Sequence, residues 1–535
     1  MIILLILLVL PTLIVADEYY EWYLARDEEV YSWSEYSDYV VEFPVLGVDA
    51  HFLSVNSLTW LDSSDAVVVN KSNPNQNTTT WEHTVAIIIP RERIKMNNNY
   101  AFLYLTGNCN FETLPDKKQE DLELVSLVSA RTGLIGVVVY QIPNCPIVYS
   151  SDPSVKLRSE DAVIAWGWKE YLDNYPNYSP QWLARLPMTK AGLQCGRAVE
   201  EYLQTNFKWI VGGASKRGWT TWNVGFVSQS ILSVAALLPL VPIVPSIQKA
   251  IHIQRKSYGG LTWAFKDYFA VNISKYIDSE AFLNLTKMND PIYHLDALSN
   301  LPKYIIYSSD DEFAQFDWTA LWYTNITADS KTRLFIPPDS EHSLITGLPD
   351  LIPSLIADAD AISSGTTNND ELPSIDLLSI NTSSAVLTIR LSLPPNYSIN
   401  DTVVVLRHAT TISSVRRDFR WVRHVDYGNS SDNDPCNFPE IYAPSQGDGN
   451  CITPIRWRKS TPLRPSNINT SCNNKTILEY VAQAPAPTRD GYWVGYYIEA
   501  RFPKTHFHLA SPGYVYPDIY PFPDCYGSNC VDIPV

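Results

Sequence analysis

The sequence predicts an α/β domain with a mostly parallel sheet, followed by a C-terminal all-β sandwich of immunoglobulin-like or fibronectin-like type. Three observations carry this. From Trp81 to about Ile362, short apolar runs alternate with longer amphipathic ones, the pattern of strands joined by covering helices. The polar stretch Ser363-Ser364-Gly365-Thr366-Thr367-Asn368-Asn369-Asp370-Glu371 then has no apolar periodicity and reads as a linker. Beyond it, Ser384-Ala385-Val386-Leu387-Thr388-Ile389-Arg390-Leu391-Ser392 alternates at period two, as do 402–407 and 492–500, between clusters of Pro, Gly and Asn. The chain has 535 residues, too many for one ordinary core. We divide it into a leader (1–16), an α/β domain (17–362), a linker (363–375) and a β domain (376–535).

Within the α/β domain, strands are expected at 85–89, 101–105, 135–140, 209–211, 234–240, 304–307 and 333–336. Helices are expected at 118–130, 160–171, 183–203, 217–230 and 247–258. Residues 17–60 read as a preceding antiparallel edge with aromatic anchors. Apolar residues make up 45% of the chain and charged ones 18%, so enough surface can be buried to offset chain entropy. Lys and Arg number 40 against 57 Asp and Glu, and a net charge of -17 argues against nucleic acid as a partner.

The first sixteen residues, MIILLILLVLPTLIVA, carry no charge and end at the small Ala16 before Asp17-Glu18. That is the pattern of a secretory signal peptide, shorter than the roughly 18–20 residues of a membrane span. The most apolar later run, 231–244, contains two prolines and suits a buried strand and its exit, so no stable membrane insertion is expected. Twelve Asn-x-Ser/Thr sites support export: Asn70, Asn77, Asn177, Asn272, Asn284, Asn325, Asn381, Asn396, Asn400, Asn429, Asn469 and Asn474. The cysteines fall as Cys109, Cys145 and Cys195, then Cys436, Cys451, Cys472, Cys525 and Cys530. Their spacing fits no zinc pattern, which leaves disulfides. Cys109 and Cys145 leave the same edge of neighbouring predicted strands and make a reasonable bridge, with Cys195 free and buried. Neither a metal nor a cofactor is expected.

The sharpest local signal is Phe207-Lys208-Trp209-Ile210-Val211-Gly212-Gly213-Ala214-Ser215-Lys216-Arg217-Gly218. A β run enters glycines, turns at a serine and leaves in a helical stretch, as a nucleophile elbow requires. Gly218 lies three residues after Ser215 instead of the usual two, and an ordinary glycine-containing turn is the competing reading. A nucleophilic serine needs an acid and then a histidine on later strand ends. Ser308-Ser309-Asp310-Asp311-Glu312 and Pro337-Pro338-Asp339-Ser340-Glu341-His342 lie where those strand ends are expected. Of the nine histidines, His342 and His294 fit that position, and His342 fits it better. Backbone donors for an oxyanion are expected at Gly107 and Asn108, after strand 101–105, and at Lys216. Lys216 and Arg217 are cations in a helix's first turn, against its dipole. Their partners are Glu160 and Asp161, Asp310 and Glu312, or the charged end of a substrate, an internal ion pair being favoured over substrate binding by Arg217, Glu160 and Asp161.

Together these residues resemble the PhoPQ-activated pathogenicity-related family, whose secreted eukaryotic members include autocrine proliferation repressor proteins. The resemblance runs from about Asp17 to Phe522. It is carried by Gly213-Ala214-Ser215-Lys216-Arg217-Gly218-Trp219-Thr220-Thr221-Trp222, Leu186-Pro187-Met188-Thr189-Lys190-Ala191, Ser159-Glu160-Asp161-Ala162, Ile142-Pro143-Asn144-Cys145-Pro146, Tyr258-Gly259-Gly260, Asp290-Pro291-Ile292-Tyr293 and Asp311-Glu312-Phe313. It implies an α/β-hydrolase domain joined to a C-terminal β domain, with Ser215, Asp311 and His342 at the positions of a triad. The family more often has Gly where this chain has Asp310, which leaves adjacent carboxylates to choose between. The expected function is a secreted serine hydrolase acting on a peptide or ester, with a small-molecule or peptide substrate. The alternative is an extracellular autocrine signal that represses proliferation through a cell-surface receptor. A glycan-active enzyme is a more remote reading, motivated by 16 Trp and 32 Tyr.

Overall fold

The computed structural model describes residues 16–535 except 71, 93–98, 111–112, 178, 228–230, 328–330, 365–371, 425–449, 454, 471–474 and 531–534. Nearly all of the proposed leader, most of the linker, Cys436, Cys472, Asn429 and Asn474 therefore lie outside the described residues. The α/β domain is built on strands β1 (Ser32–Phe43), β2 (Val48–Thr59), β3 (Thr80–Pro90), β4 (Tyr100–Leu105), β5 (Ile135–Val139), β6 (Lys208–Ala214), β7 (Ser233–Leu240), β8 (Lys303–Ile306) and β9 (Thr332–Phe335). They form one nine-stranded sheet in the order β1-β2-β3-β5-β4-β6-β7-β8-β9. The six strands from β5 to β9 in that order pair in parallel, while β1, β2 and β3 add an antiparallel margin.

Side chains alternate across this sheet at the strand period of two. In β4, Ala101, Leu103 and Leu105 enter the core on one face, and Phe102 and Tyr104 enter the core on the other. Both faces are therefore covered. One carries α3 (Asp161–Asp173), α4 (Arg185–Leu203), α5 (Lys216–Val227) and α6 (Ile247–Tyr258), and the other carries α2 (Glu120–Thr132) and α9, defined below. Chain order and strand order part company at one place. From β4 the chain crosses to β5 on one side, and from β6 it crosses to β7 on the other, so a crevice opens between β4 and β6 at their C-terminal ends.

All seven predicted strands and all five predicted helices form, with ends shifted by a few residues. Three further parts were not anticipated. Within the expected antiparallel edge, α1 (Ala16–Ala25) is helical, because Tyr20, Tyr23 and Leu24 make a buried stripe at helical spacing. Between α6 and β8 the chain makes an insert of short helices that includes α7 (Lys266–Ala270) and α8 (Glu280–Asn289). After β9, helix α9 (Leu348–Ser363) begins with a proline in its first turn, where no intrahelical donor is lost, and tolerates a second at Pro353.

The C-terminal region forms antiparallel sheets. One pairs β10 (Ser374–Asn381), β11 (Val386–Leu393), β15 (Thr476–Gln483) and β14 (Asn467–Thr470) in that order. The other pairs β13 (Arg458–Lys459), β12 (Val403–Thr410), β16 (Val494–Phe502) and β17 (Phe507–Ala510), with β18 (Tyr514–Tyr516) also on β16. Leu387, Ile389 and Leu391 of one sheet and Val404, Leu406 and Ile498 of the other share a single buried cluster. This cluster is continuous with the α2 and α9 face of the large sheet, so the mostly parallel and the antiparallel regions share a core.

Their junction is aromatic and tight. Phe316, from the loop after β8, packs on Phe419 and Trp457 at ring separations of 5.3 and 4.9 Å. A Cβ added to Gly495 of β16 would come within 2.7 Å of the Phe316 ring and 2.9 Å of Trp457. Gly495→Ala is therefore expected to lower stability by about 1–3 kcal/mol through overpacking. Urea unfolding followed by tryptophan fluorescence measures this.

Candidate active site

Ser215 sits between β6 and α5 with φ of 57°, a left-handed conformation that a serine adopts only when its surroundings hold it. Its N–H donates to the Leu240 carbonyl at the end of β7 (2.9 Å). Gly218 explains the unusual spacing of the motif. A Cβ there would lie 2.5 Å from the same Leu240 carbonyl and 3.1 Å from that of Gly213, so the close approach of helix to sheet falls one residue later than the general pattern has it.

His342 follows β9 and faces Ser215. Its Nε2 lies 2.9 Å from Ser215 Oγ, and its Nδ1 lies 2.8 and 2.9 Å from the two carboxylate oxygens of Asp311. A carboxylate only accepts, so Nδ1 carries the proton and Nε2 of the neutral ring is left to accept from the serine hydroxyl. Asp311 is oriented in turn by the amides of Phe313 (2.7 Å) and Ala314 (2.9 Å) and by the Ser308 hydroxyl (3.1 Å). The Phe313 ring packs on the imidazole at 4.4 Å. Burial pulls the His342 pKa down, but the charge and hydrogen bond of Asp311, with Glu312 behind them, outweigh it and hold it above the ordinary 6.5.

Of the adjacent carboxylates, only Asp311 reaches the imidazole ring. Asp310 is buried and accepts the Trp457 indole N–H at 2.8 Å, and burial raises its pKa well above the usual carboxylate range. Glu312 accepts the backbone N–H of His342 (2.9 Å) with one oxygen and that of Val422 (3.0 Å) with the other. Burial and the Asp311 charge push it up to about 7 against those two amides. Neither Trp457 nor 416–422, which lies across the acid loop, was anticipated from the sequence. Arg416 Nε donates to the Tyr258 carbonyl (2.9 Å), Arg417 pairs with Asp317 (2.7 Å), and the Trp421 amide donates to the Asp310 carbonyl (2.8 Å).

Lys216 and Arg217 have internal partners. Lys216 Nζ lies 3.1 Å from Glu160 and 2.9 Å from Asp161, and Arg217 lies 2.5 Å from Glu160 and donates to the Ile142 carbonyl. Asp310 and Glu312 are occupied elsewhere. Burial raises the Glu160 carboxyl, but Arg217 and Lys216 overrule it and bring it to about 2. Gly107 lies beside this pair, since a Cβ there would meet the Arg217 guanidinium at 2.5 Å and Glu160 at 3.1 Å. Asn108 has a positive φ of 75°. The loop of Gly107 and Asn108 thus stands next to the start of α5, where the Lys216 amide belongs to a first turn that has no intrahelical acceptor.

Cys109 and Cys145 are joined by a disulfide, Cys525 and Cys530 by another, and Cys195 is free and buried. His294 stacks on Phe226 at 3.9 Å, away from Ser215's partners. Of the sequons, Asn77, Asn177, Asn272, Asn325, Asn381, Asn396, Asn400 and Asn469 are exposed and Asn284 is half-buried. Asn70 is buried and donates to Gln76 at 2.7 Å. Asp350, Glu499 and His508 converge, but Arg407 and Arg501 pair with Glu499 at 2.6 and 2.8 Å and Arg501 with Asp350 at 2.9 Å. The cluster is already neutral, which suits an ion-pair network better than a cation. No helix among the described residues is long and apolar enough to cross a membrane.

A mostly parallel sheet, a serine at a strand-to-helix turn, and an acid and a histidine on later strand ends in that order define an α/β-hydrolase-like fold. Solved structures resemble it remotely. Acetyl xylan esterase from Paenibacillus sp. R4 is 11% identical, covering 64% of this chain and 93% of its own at a TM-score of 0.39. S-formylglutathione hydrolase from Staphylococcus aureus is 12% identical, covering 59% and 99% at a TM-score of 0.33. In sequence, autocrine proliferation repressor protein A of Dictyostelium discoideum is 31% identical over 415 residues, 76% of each chain. With residues 24–420 also matching the family model, this chain belongs to the PhoPQ-activated pathogenicity-related protein family.

The Glu160 pairing predicts a pH signature. A carboxyl held lower in the folded state than when unfolded stabilises fully above its unfolded value, here 4.5, and that contribution is lost as pH falls toward about 2. Glu160→Gln should therefore be less stable than the parent protein at neutral pH. The gap should narrow between about 4.5 and 2, as followed by thermal melts over that range.

Proposed function

We propose that this protein is an exported serine hydrolase that cleaves an ester or peptide bond. The observation that carries the reading is the continuous hydrogen-bonded chain from Asp311 through His342 to Ser215, ending on a half-exposed hydroxyl at a strained turn. In this reading Ser215 Oγ bonds to the substrate carbonyl carbon while His342 Nε2 takes the hydroxyl proton. Asp311 steadies the imidazolium, and the amides of Lys216 and of the 107–108 loop receive the oxyanion. His342 then gives its proton to the leaving group, and water, activated by the same histidine, releases the acyl group. The leader-like first sixteen residues and the exposed sequons support secretion.

A fluorophosphonate probe is expected to label Ser215, located by peptide mass spectrometry. Labelling is expected to fail in Ser215→Ala, whose ester turnover should fall by roughly 10^4-fold or more. Absence of labelling in the folded parent protein would refute the reading. Because His342 must be neutral to accept the proton, kcat/KM should rise with pH through a midpoint above the ordinary 6.5. Asp311→Asn should remove that upward shift along with most of the activity, which a pH–rate profile of both proteins would show.

The second reading rests on the likeness to autocrine proliferation repressor protein A. In it the protein is an extracellular signal that limits proliferation by binding a cell-surface receptor, with or without catalysis. The Ser215→Ala protein separates the two. Growth inhibition that survives in that protein would assign the signal to the surface and not to the serine.

A further inference from the structure

Helices α3 and α6 and the insert between α6 and β8 border a cavity lined by Trp168, Ile243, Ile251, Leu261, Phe265 and Tyr268, among others. Its lining is aliphatic and aromatic but for the Ser274 hydroxyl, the Trp168 indole N–H and the Tyr268 hydroxyl, and the last is committed to Asp161 at 3.1 Å. Two of its walls lead to the two sides of the Ser215–His342 pair. Tyr268 reaches the serine side through Asp161, which pairs with Lys216, the residue after Ser215. Phe265 reaches the histidine side, packing at 5.8 Å on Phe313, which itself packs at 4.4 Å on His342. Ile243, also in the lining, lies three residues beyond Leu240, whose carbonyl accepts the Ser215 amide.

We infer that this cavity seats the apolar group carried by the reacting carbonyl, and that the group is a short aliphatic chain. The inference rests on the serine-hydrolase reading and adds the substrate class. Size sets the upper limit. The cavity volume is about 40 Å³, where about 10–15 Å³ suffices for one water by the same measure, so a few carbons fit and a long acyl tail does not. Charge points the same way. Glu160 and Asp161 compensate Lys216 and Arg217, so the cations beside Ser215 do not call for a substrate carboxylate.

The test compares 4-nitrophenyl acetate, butyrate and laurate on the whole protein and on variants at Ile251. Two further methylenes seated in an apolar site are worth about tenfold, so kcat/KM for butyrate should exceed acetate by about that factor, with laurate below butyrate. Ile251→Trp, which fills the cavity, should bring the butyrate-to-acetate ratio close to one, and Ile251→Ala should move the optimum to a longer chain. Circular dichroism establishes that each variant is folded. Turnover that depends on Ser215 but ignores chain length and Ile251 would overturn the inference and leave the hydrolase reading intact. A second measurement is independent of turnover: ligand-detected NMR of butyramide with the Ser215→Ala protein and with Ser215→Ala/Ile251→Trp. Binding lost on filling the cavity, with no turnover by the parent protein, would support the cavity and refute the hydrolase reading. Neither binding nor turnover would overturn both.

Discussion

Three consecutive carboxylates, Asp310, Asp311 and Glu312, are buried at the end of one parallel strand, and the surrounding structure is arranged to satisfy them. Burying a carboxylate is unfavourable unless donors replace the lost water. Here the donors come from several separate parts of the chain. Asp311 takes its own turn and the His342 ring, Glu312 takes the backbones of His342 and Val422, and Asp310 takes the indole of Trp457. Two of the three thus depend on the C-terminal region. That region is not an appendage to a finished α/β domain, since without it Asp310 and Glu312 would each lose a donor, beside the loop that positions His342.

The serine side is fixed by a different balance. Cations at the start of α5 oppose its dipole, whereas acids in the first turn of a helix favour it, and Glu160 and Asp161 lie at the start of α3. Bringing the two helix starts together sets the unfavourable pair against the favourable one and makes both local charge patterns tolerable. Glu160 itself has a positive φ of 56°, so its backbone is bent to present its carboxylate to Lys216 and Arg217. The result joins the loop before α3 to the residues that follow Ser215.

What the sequence revealed and what it hid divide along locality. The seven strands and the five covering helices are written in periodicity and form where they were expected, and Ser215, Asp311 and His342, singled out from short turns, are brought together. The bridge between Cys109 and Cys145 followed from adjacent strand ends. Helix α1 escaped because its buried tyrosines find their partners far along the chain, as with Tyr20 and Asn289. Of the insert helices, α7 has five residues, too short for a period to show, whereas α8 has ten and was missed. The 416–422 segment and Trp457 have no pattern at all. They matter through single hydrogen bonds to residues about a hundred or more positions away, a relation no local window contains.

The backbone adds an argument of its own. Asn108, Gln141, Ser215, Val241 and Asp339 each take a positive φ within four residues of the end of β4, β5, β6, β7 and β9 respectively. None is a glycine, the residue that would adopt this conformation without steric cost. Strain of this kind, of order 1–3 kcal/mol for each residue, persists only where the surroundings over-determine the position. Here it gathers on one edge of the sheet, around the crevice that the change of strand direction opens. A surface that serves only to be bound has no need to hold a half-exposed serine in a left-handed turn against an imidazole. The same arrangement is what a nucleophile requires, so the distribution of strain favours the catalytic reading over a purely passive platform on grounds separate from the side-chain geometry.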